Sequence, residues 1–236
     1  MPNHYDTSKK DFHSKRFCRE YTYFIRRKNG PSPPLRKYFF VFYKNFRFFA
    51  FLTDSPMDKV TLFDKTFKPY ISNEEIEKAI DKVAEKLNRD FGGSDEIPIL
   101  LCVLNGSIMF TGELMKRLNF HCQLVSVKMT SYEGTSSTGH VKTAMGLTAD
   151  ITGRKVIIVE DIVDTGETIV ELKRILKEKG AKESYICTLL FKEEAYKKDA
   201  KIDYAAINIE NRFIVGFGLD YNELGRNLKD IWILDA

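Results

Sequence analysis

The sequence predicts an α/β domain built on a mostly parallel sheet. Three observations carry that expectation. Apolar runs of strand length alternate with segments whose apolar residues recur at helical spacing. Two of the runs, 97–104 and the 156–159 part of 155–162, consist mainly of Ile, Leu and Val, the composition of strands covered on both faces. Each run passes through a short turn of small or acidic residues straight into a helical pattern, the repeating unit of a parallel sheet.

Taken in order, Ser72-Asn73-Glu74-Glu75 reads as a capping box that opens a helix. Ile76, Ile80, Val83 and Leu87 follow on one face, and Gly92-Gly93 closes it. The strand at 97–104 ends in Asn105, Gly106 and Ser107, and Phe110, Leu114 and Leu118 mark the helix after it. A third strand covers 122–130. It leads into Ser131-Tyr132-Glu133-Gly134-Thr135-Ser136-Ser137-Thr138-Gly139, too polar and small to bury a core, and so expected to be mobile. The strand at 155–162 turns acidic at Glu160, Asp161 and Asp164. It ends in Thr165, Gly166, Glu167 and Thr168, ahead of a helix marked by Ile169, Leu172, Ile175 and Leu176 and closed at Lys179-Gly180. A strand at 184–191 stops at Lys192. Two more, 204–209 and 213–218, are joined around Glu210, Asn211 and Arg212 and followed by Asp220, Tyr221, Asn222, Glu223 and Arg226.

Charge divides the chain. Residues 1–56 hold 12 Lys and Arg against 4 Asp and Glu, and the remainder 25 against 29, so the net +4 is +8 on the leader and −4 on the rest. The leader also carries Pro31, Pro33 and Pro34 and the aromatic run YFFVFYKNFRFFAFL at 38–52. That run is 15 residues, interrupted by Lys44 and Arg47, and short of the roughly 20 that span a bilayer. It suits a membrane surface or partner-docking segment, a nucleic-acid platform, or in-frame sequence upstream of a true start at Met57. The last is the favoured expectation, because catalytic-domain character begins soon after Met57. The domains are therefore read as 1–56, a basic aromatic extension outside the core, and 57–236. The overall 43% hydrophobic and 30% charged content is that of a soluble globular protein. Cys18, Cys102, Cys122 and Cys187 show no metal or disulfide spacing, and the last three, inside apolar runs, read as reduced core residues of a cytoplasmic protein.

A buried strand, a small-residue turn and a helix start together form an anion cradle, with successive N–H groups and the helix N-terminus facing one point. The turns at 105–107 and 164–168 both have this form. Carboxylates beside the second suit hydroxyls, a divalent metal or a proton to be accepted. The stretch VIIVEDIVDTGET at 156–168 resembles the phosphoribosyl-diphosphate (PRPP) motif of type I phosphoribosyltransferases, and its flanks resemble the hypoxanthine-guanine phosphoribosyltransferase family from about Leu62 to Leu234.

The resemblance implies transfer of 5-phosphoribose from PRPP to N9 of hypoxanthine or guanine. It implies the type I phosphoribosyltransferase fold, with a small hood built from the segment after Met57 and the C-terminal strands. It implies that Thr165, Gly166, Glu167 and Thr168 hold the 5′-phosphate, that Glu160 and Asp161 engage the ribose hydroxyls directly or through Mg²⁺, and that Asp164 is the general base. Asn105, Gly106, Ser107 and Arg226 fall to pyrophosphate. Members often have Lys or Arg where Asn105 stands, so a cation is missing there. The peptide entering this turn, Leu104–Asn105, is expected to be strained, since members can hold it cis. Ser131 and Tyr132 match the pair that closes over the reaction centre. Lys192 would donate to the purine 6-oxygen, Phe213 would stack on the ring, Ile214 would meet the base edge through its backbone, and Asp220 would help hold the Mg²⁺ cluster. Homo-oligomers are implied, with no nucleic-acid or membrane partner. Two alternatives stay open: a transferase preferring xanthine, and a PRPP-binding regulator without catalysis.

Overall fold

A computed structural model describes residues 38–40, 50–52, 58–131, 141–145 and 147–235 of the chain. The chain divides into two compact units, 1–57 and 58–236. In the first, β1 (Tyr38–Phe40) pairs antiparallel with β2 (Ala50–Leu52). The other expectations for the leader lie outside the described residues.

In the second unit a six-stranded sheet runs β10-β9-β8-β5-β6-β7. Its strands are β5 (Ile99–Leu104), β6 (Gln123–Ser131), β7 (Val141–Met145), β8 (Lys155–Val163), β9 (Glu183–Phe191) and β10 (Tyr204–Asn208). All neighbours are parallel except β6 and β7. The alternation of side chains explains the unbroken apolar runs. Leu100, Ile157 and Val159 face a layer with Ile76, Ile80 and Leu87 of α1 (Asn73–Phe91) and Phe110 and Leu114 of α2 (Ile108–Met115). Ile99, Leu101, Val156 and Ile158 face the opposite layer, with Ile169, Leu172 and Leu176 of α3 (Glu167–Glu178). The capping box is formed: Glu75 N–H donates to Ser72 Oγ at 3.3 Å, and Ser72 N–H to Glu75 Oε2 at 2.9 Å.

The order of strands reverses between β5 and β8, which lie side by side with Cys102 opposite Val159. Ligands of open α/β sheets bind at such a reversal, beyond the carboxyl ends of the strands. Both anion-cradle turns leave from there.

A smaller antiparallel sheet runs β11-β12-β4-β3, from β3 (Val60–Leu62), β4 (Lys65–Ile71), β11 (Ile214–Val215) and β12 (Ile231–Leu234). It joins the first and last strands of the unit around Phe67, Val215 and Trp232. The strand expected at 213–218 is cut to two residues. Gly216, Phe217 and Gly218 have φ of 104°, 46° and 101°, which no strand tolerates. Cys102 and Cys187 are buried as expected, whereas Cys122 is only half-buried.

Candidate active site

The turn after β5 is the floor of the site. The Leu104–Asn105 peptide is cis. Gly106 lies directly on the Asp161 carboxylate, where a Cβ would fall 1.6 Å from Oδ2. Ser107 faces the other way. Its hydroxyl is buried, donating to the Val103 carbonyl at 2.7 Å and lying 3.3 Å from Cys102 Sγ, and its N–H donates to the same carbonyl at 3.3 Å. Of the three residues expected to meet an anion here, Ser107 thus anchors the turn.

β8 delivers the carboxylates. Glu160 is buried, and burial together with the adjacent Asp161 pushes it well above the usual carboxylate range. Asp161 is pushed up to about 6 by burial, with Asp220 adding to the rise; the Ile162 N–H donated to Oδ1 at 2.9 Å and the Arg226 charge hold it down. The negative charge is therefore under-compensated. A hard divalent cation relieves such a pair, completing its shell with water and phosphate oxygens. Among the described residues no group of three or more His, Cys, Asp or Glu forms a metal cage.

The second turn continues from β8. Gly166, buried at φ 84° and ψ 6°, precedes the first residue of α3 without a side-chain cap, so the helix N-terminus is open to an anion. Thr165 is exposed and Thr168 half-buried. Asp164 is paired: Lys192 Nζ, at the end of β9, donates to its Oδ2 at 2.8 Å and to Asn211 Oδ1 at 3.3 Å. The Lys192 side chain is 10% exposed and that of Asp164 43%. Lys192 is thus a nearly buried cation held by two acceptors.

The far wall comes from the smaller sheet. Phe213 is 44% exposed, its ring 5.7 Å from Tyr221 at 88° and 6.0 Å from Phe67. Ile214 is buried and in register with Ile233. Tyr221 is tied by its hydroxyl to Asp64 Oδ1 at 2.6 Å, at the turn between β3 and β4. Beside it, Asp220 Oδ1 pairs with Arg226 Nη2 at 2.6 Å and Oδ2 accepts the Glu223 N–H at 2.7 Å. Arg226 Nη1 donates to the Gly218 carbonyl at 2.8 Å, and Gly218 abuts the first turn, its missing Cβ falling 2.0 Å from the Gly106 carbonyl oxygen.

These contacts close a circuit. It runs from Asp161 to Gly106, Gly218, Arg226 and Asp220, on through Tyr221 to Phe213, and by the neighbouring Asn211 to Lys192 and Asp164. The two turns, a carboxylate pair and a half-open aromatic ring are thus brought together at the sheet reversal. Tyr132 and the rest of the loop expected to cover it lie outside the described residues, while Ser131 ends β6 opposite Val141. Asn211, Gly218 and Tyr221 join the site without any local motif announcing them.

The phosphoribosyl transferase domain model matches residues 69–222, well over half of the chain. A hypoxanthine-guanine phosphoribosyltransferase of Streptococcus pneumoniae is 40% identical over 168 residues, covering 71% of this chain and 92% of that one. The chain belongs to the hypoxanthine-guanine phosphoribosyltransferase family. Solved members of that family share the fold. One is a hypoxanthine-guanine phosphoribosyltransferase of Bacillus anthracis, with TM-score 0.66 and 35% identity over 70% of this chain and 97% of that one. Another is a hypoxanthine phosphoribosyl transferase of Trypanosoma cruzi, with TM-score 0.67 and 32% identity over 74% and 94%. The six-stranded sheet with five parallel strands is thus the type I phosphoribosyltransferase sheet.

Proposed function

We propose that this chain is a purine salvage enzyme, transferring 5-phosphoribose from PRPP to N9 of hypoxanthine or guanine with release of pyrophosphate. The Lys192–Asp164 pair carries the reading. An ammonium donor 2.8 Å from a carboxylate acceptor complements a 6-oxopurine, which presents a carbonyl oxygen beside an N7–H. Adenine, whose 6-amino group is itself a donor, meets the ammonium unfavourably.

The reaction divides among the walls. Thr165, Gly166, Glu167 and Thr168 hold the 5′-phosphate on the open start of α3. The backbone of Asn105 and Gly106, with Arg226, takes the pyrophosphate, and Ser107 fixes the turn. Phe213 stacks on the purine, and the backbone at Ile214 meets its edge. As the bond from C1′ to pyrophosphate breaks, the sugar gains oxocarbenium character. N9 then bonds to C1′, and the proton on N7 passes to Asp164, which must first release Lys192 to the 6-oxygen. Glu160 and Asp161 would hold a Mg²⁺ ion mainly through water and substrate oxygens, with Asp220 contributing from outside that pair, and the ion would neutralise pyrophosphate and ribose oxygens. Ser131 and Tyr132 belong to a lid that excludes water from the activated sugar.

The smaller sheet is the hood over the purine, and residues 1–56 are an extension outside the catalytic domain. Free cysteines at Cys102, Cys122 and Cys187 support a reducing, cytoplasmic setting. No helix among the described residues is long and apolar enough to cross a membrane. Homo-oligomers are the assembly proposed.

Initial rates with hypoxanthine, guanine, xanthine and adenine at fixed PRPP and Mg²⁺ test the proposal. Turnover of hypoxanthine or guanine above the other two is the expected outcome. Preference for xanthine, or PRPP binding with no base turned over, overturns it.

A further inference from the structure

The turn between β9 and β10 holds Lys192 at one end and grips the start of α3 with the other. The N–H groups of Ala195 and Tyr196 both donate to the Lys192 carbonyl at 3.1 Å, folding the chain back on itself. The Tyr196 ring is thereby set edge-on to Phe191, with centroids 5.4 Å apart at 72°, and its hydroxyl donates to the Ala200 carbonyl at 2.5 Å. The ring then lies on Gly166. A Cβ there would fall 2.4 Å from Tyr196 Cε2 and 3.1 Å from Lys198 Cγ. Lys198 Nζ pairs with Glu167 Oε1 at 2.5 Å, so the same turn is fastened to the first residue of α3.

We infer that Tyr196 is a positioning residue for the phosphate-holding turn. Gly166 keeps a left-handed conformation that aims the following N–H groups at a common point, and glycine is the residue freest to leave it. The flat ring, held at its far edge by Phe191 and at its hydroxyl by Ala200, fills the space into which Gly166 would relax. The cradle therefore exists before an anion arrives. Without the ring the turn samples other conformations, and apparent affinity falls by the fraction of time the cradle is formed. The backbone N–H of Tyr196 also bonds to the Lys192 carbonyl, a link that does not depend on the ring, so the ring's own effect falls on the phosphate turn.

This inference rests on the reading of 165–168 as the 5′-phosphate cradle, and its test separates the two. Steady-state kinetics and calorimetric PRPP binding are measured for Tyr196→Ala, Tyr196→Phe and Thr168→Val, with melting temperatures alongside. Tyr196→Ala is expected to weaken PRPP binding and raise its KM about tenfold, with the hypoxanthine KM and kcat changed far less. Tyr196→Phe keeps the ring, losing only the bond to Ala200, and is expected to restore the wild-type PRPP KM. An unchanged PRPP KM in Tyr196→Ala, or equal losses in both KM values and kcat, overturns the positioning role. Should Tyr196→Ala not fold, Tyr196→Leu, which keeps apolar bulk without a flat ring, takes its place under the same criteria. An unchanged PRPP affinity in Thr168→Val counts against the cradle itself; a weakened one beside a normal Tyr196→Ala removes only the inference.

Discussion

Lys192 Nζ lies 2.8 Å from Asp164 Oδ2, so the two side chains proposed to read adjacent features of the purine neutralise each other in the free protein. The pairing solves a burial problem. A lysine ammonium on a side chain 10% exposed is costly unless it has acceptors, and Asp164 and Asn211 supply them. In the proposed reaction the purine replaces one of these acceptors with its own oxygen.

Asp164→Asn keeps an acceptor for Lys192 but loses the proton acceptor. Turnover with hypoxanthine is expected to fall about 10²–10⁴-fold, while PRPP binding by calorimetry changes little. Unaltered turnover would remove Asp164 from its role.

Lys192→Ala separates recognition from stability. Asp164 is 43% exposed on its side chain and water can take over from the amine. The KM for hypoxanthine and guanine is expected to rise about tenfold or more, with a proportionally smaller loss of stability by urea titration. Equal kinetics with and without the amine would contradict the assignment.

Burial sets Asp161 against its own ionisation. Its carboxyl is pushed up to about 6 from an ordinary 3.8, chiefly by burial. The native state therefore holds a proton that the unfolded chain has released across pH 4–6, and this group's contribution to stability falls as pH rises through that window. At pH 7 the ionised group is a cost, so Asp161→Asn should raise the melting temperature of the ligand-free protein by about 2–6 °C. The gain should shrink at pH 4.5 and turnover should drop. Scanning fluorimetry at both pH values checks the sign, and a lower melting temperature for the variant at pH 7 would refute it.

Gly218→Ala tests the junction between the two sheets. The added methyl would meet the Gly106 carbonyl oxygen at 2.0 Å, backbone against backbone, at φ 101°. The expected result is destabilisation by about 2–4 kcal/mol and loss of most activity, read by thermal unfolding and a PRPP-dependent assay. A wild-type rate would mean that the contact between the two loops is dispensable.

Phe213→Ala should raise the purine KM, since a base stacked on an aromatic ring is worth about 1–3 kcal/mol. With 44% of Phe213 exposed, the melting temperature should move much less than for a buried Phe such as Phe67. A purine KM left unchanged would take Phe213 out of the pocket.

The parallel sheet was legible because burial on two faces leaves unbroken apolar runs, and α1 because its capping box and period agree. The two turns after β5 and β8 were legible because small and acidic residues interrupt those runs abruptly. The smaller sheet was much less so. β3 and β12 are three and four residues long, too short to show a period, and β12 owes its place to pairing with β4 across more than 150 positions. At 213–218 the apolar composition suggests a strand, but the positive φ values at Gly216 and Gly218 bend the chain toward Gly106. Asn211 and Tyr196 act through space, on Lys192 and Gly166, and nothing in their own neighbourhoods marks them.

β11 is zipped to β12, and β12 to β4, with Asp235 N–H donating to the Thr66 carbonyl at 2.9 Å. A nascent chain still inside the ribosome beyond Val215 would have both proposed phosphate-holding turns outside the exit tunnel and no finished wall beside them. The wall proposed to face the purine is thus completed late in synthesis, and not before Leu234 has paired with Phe67.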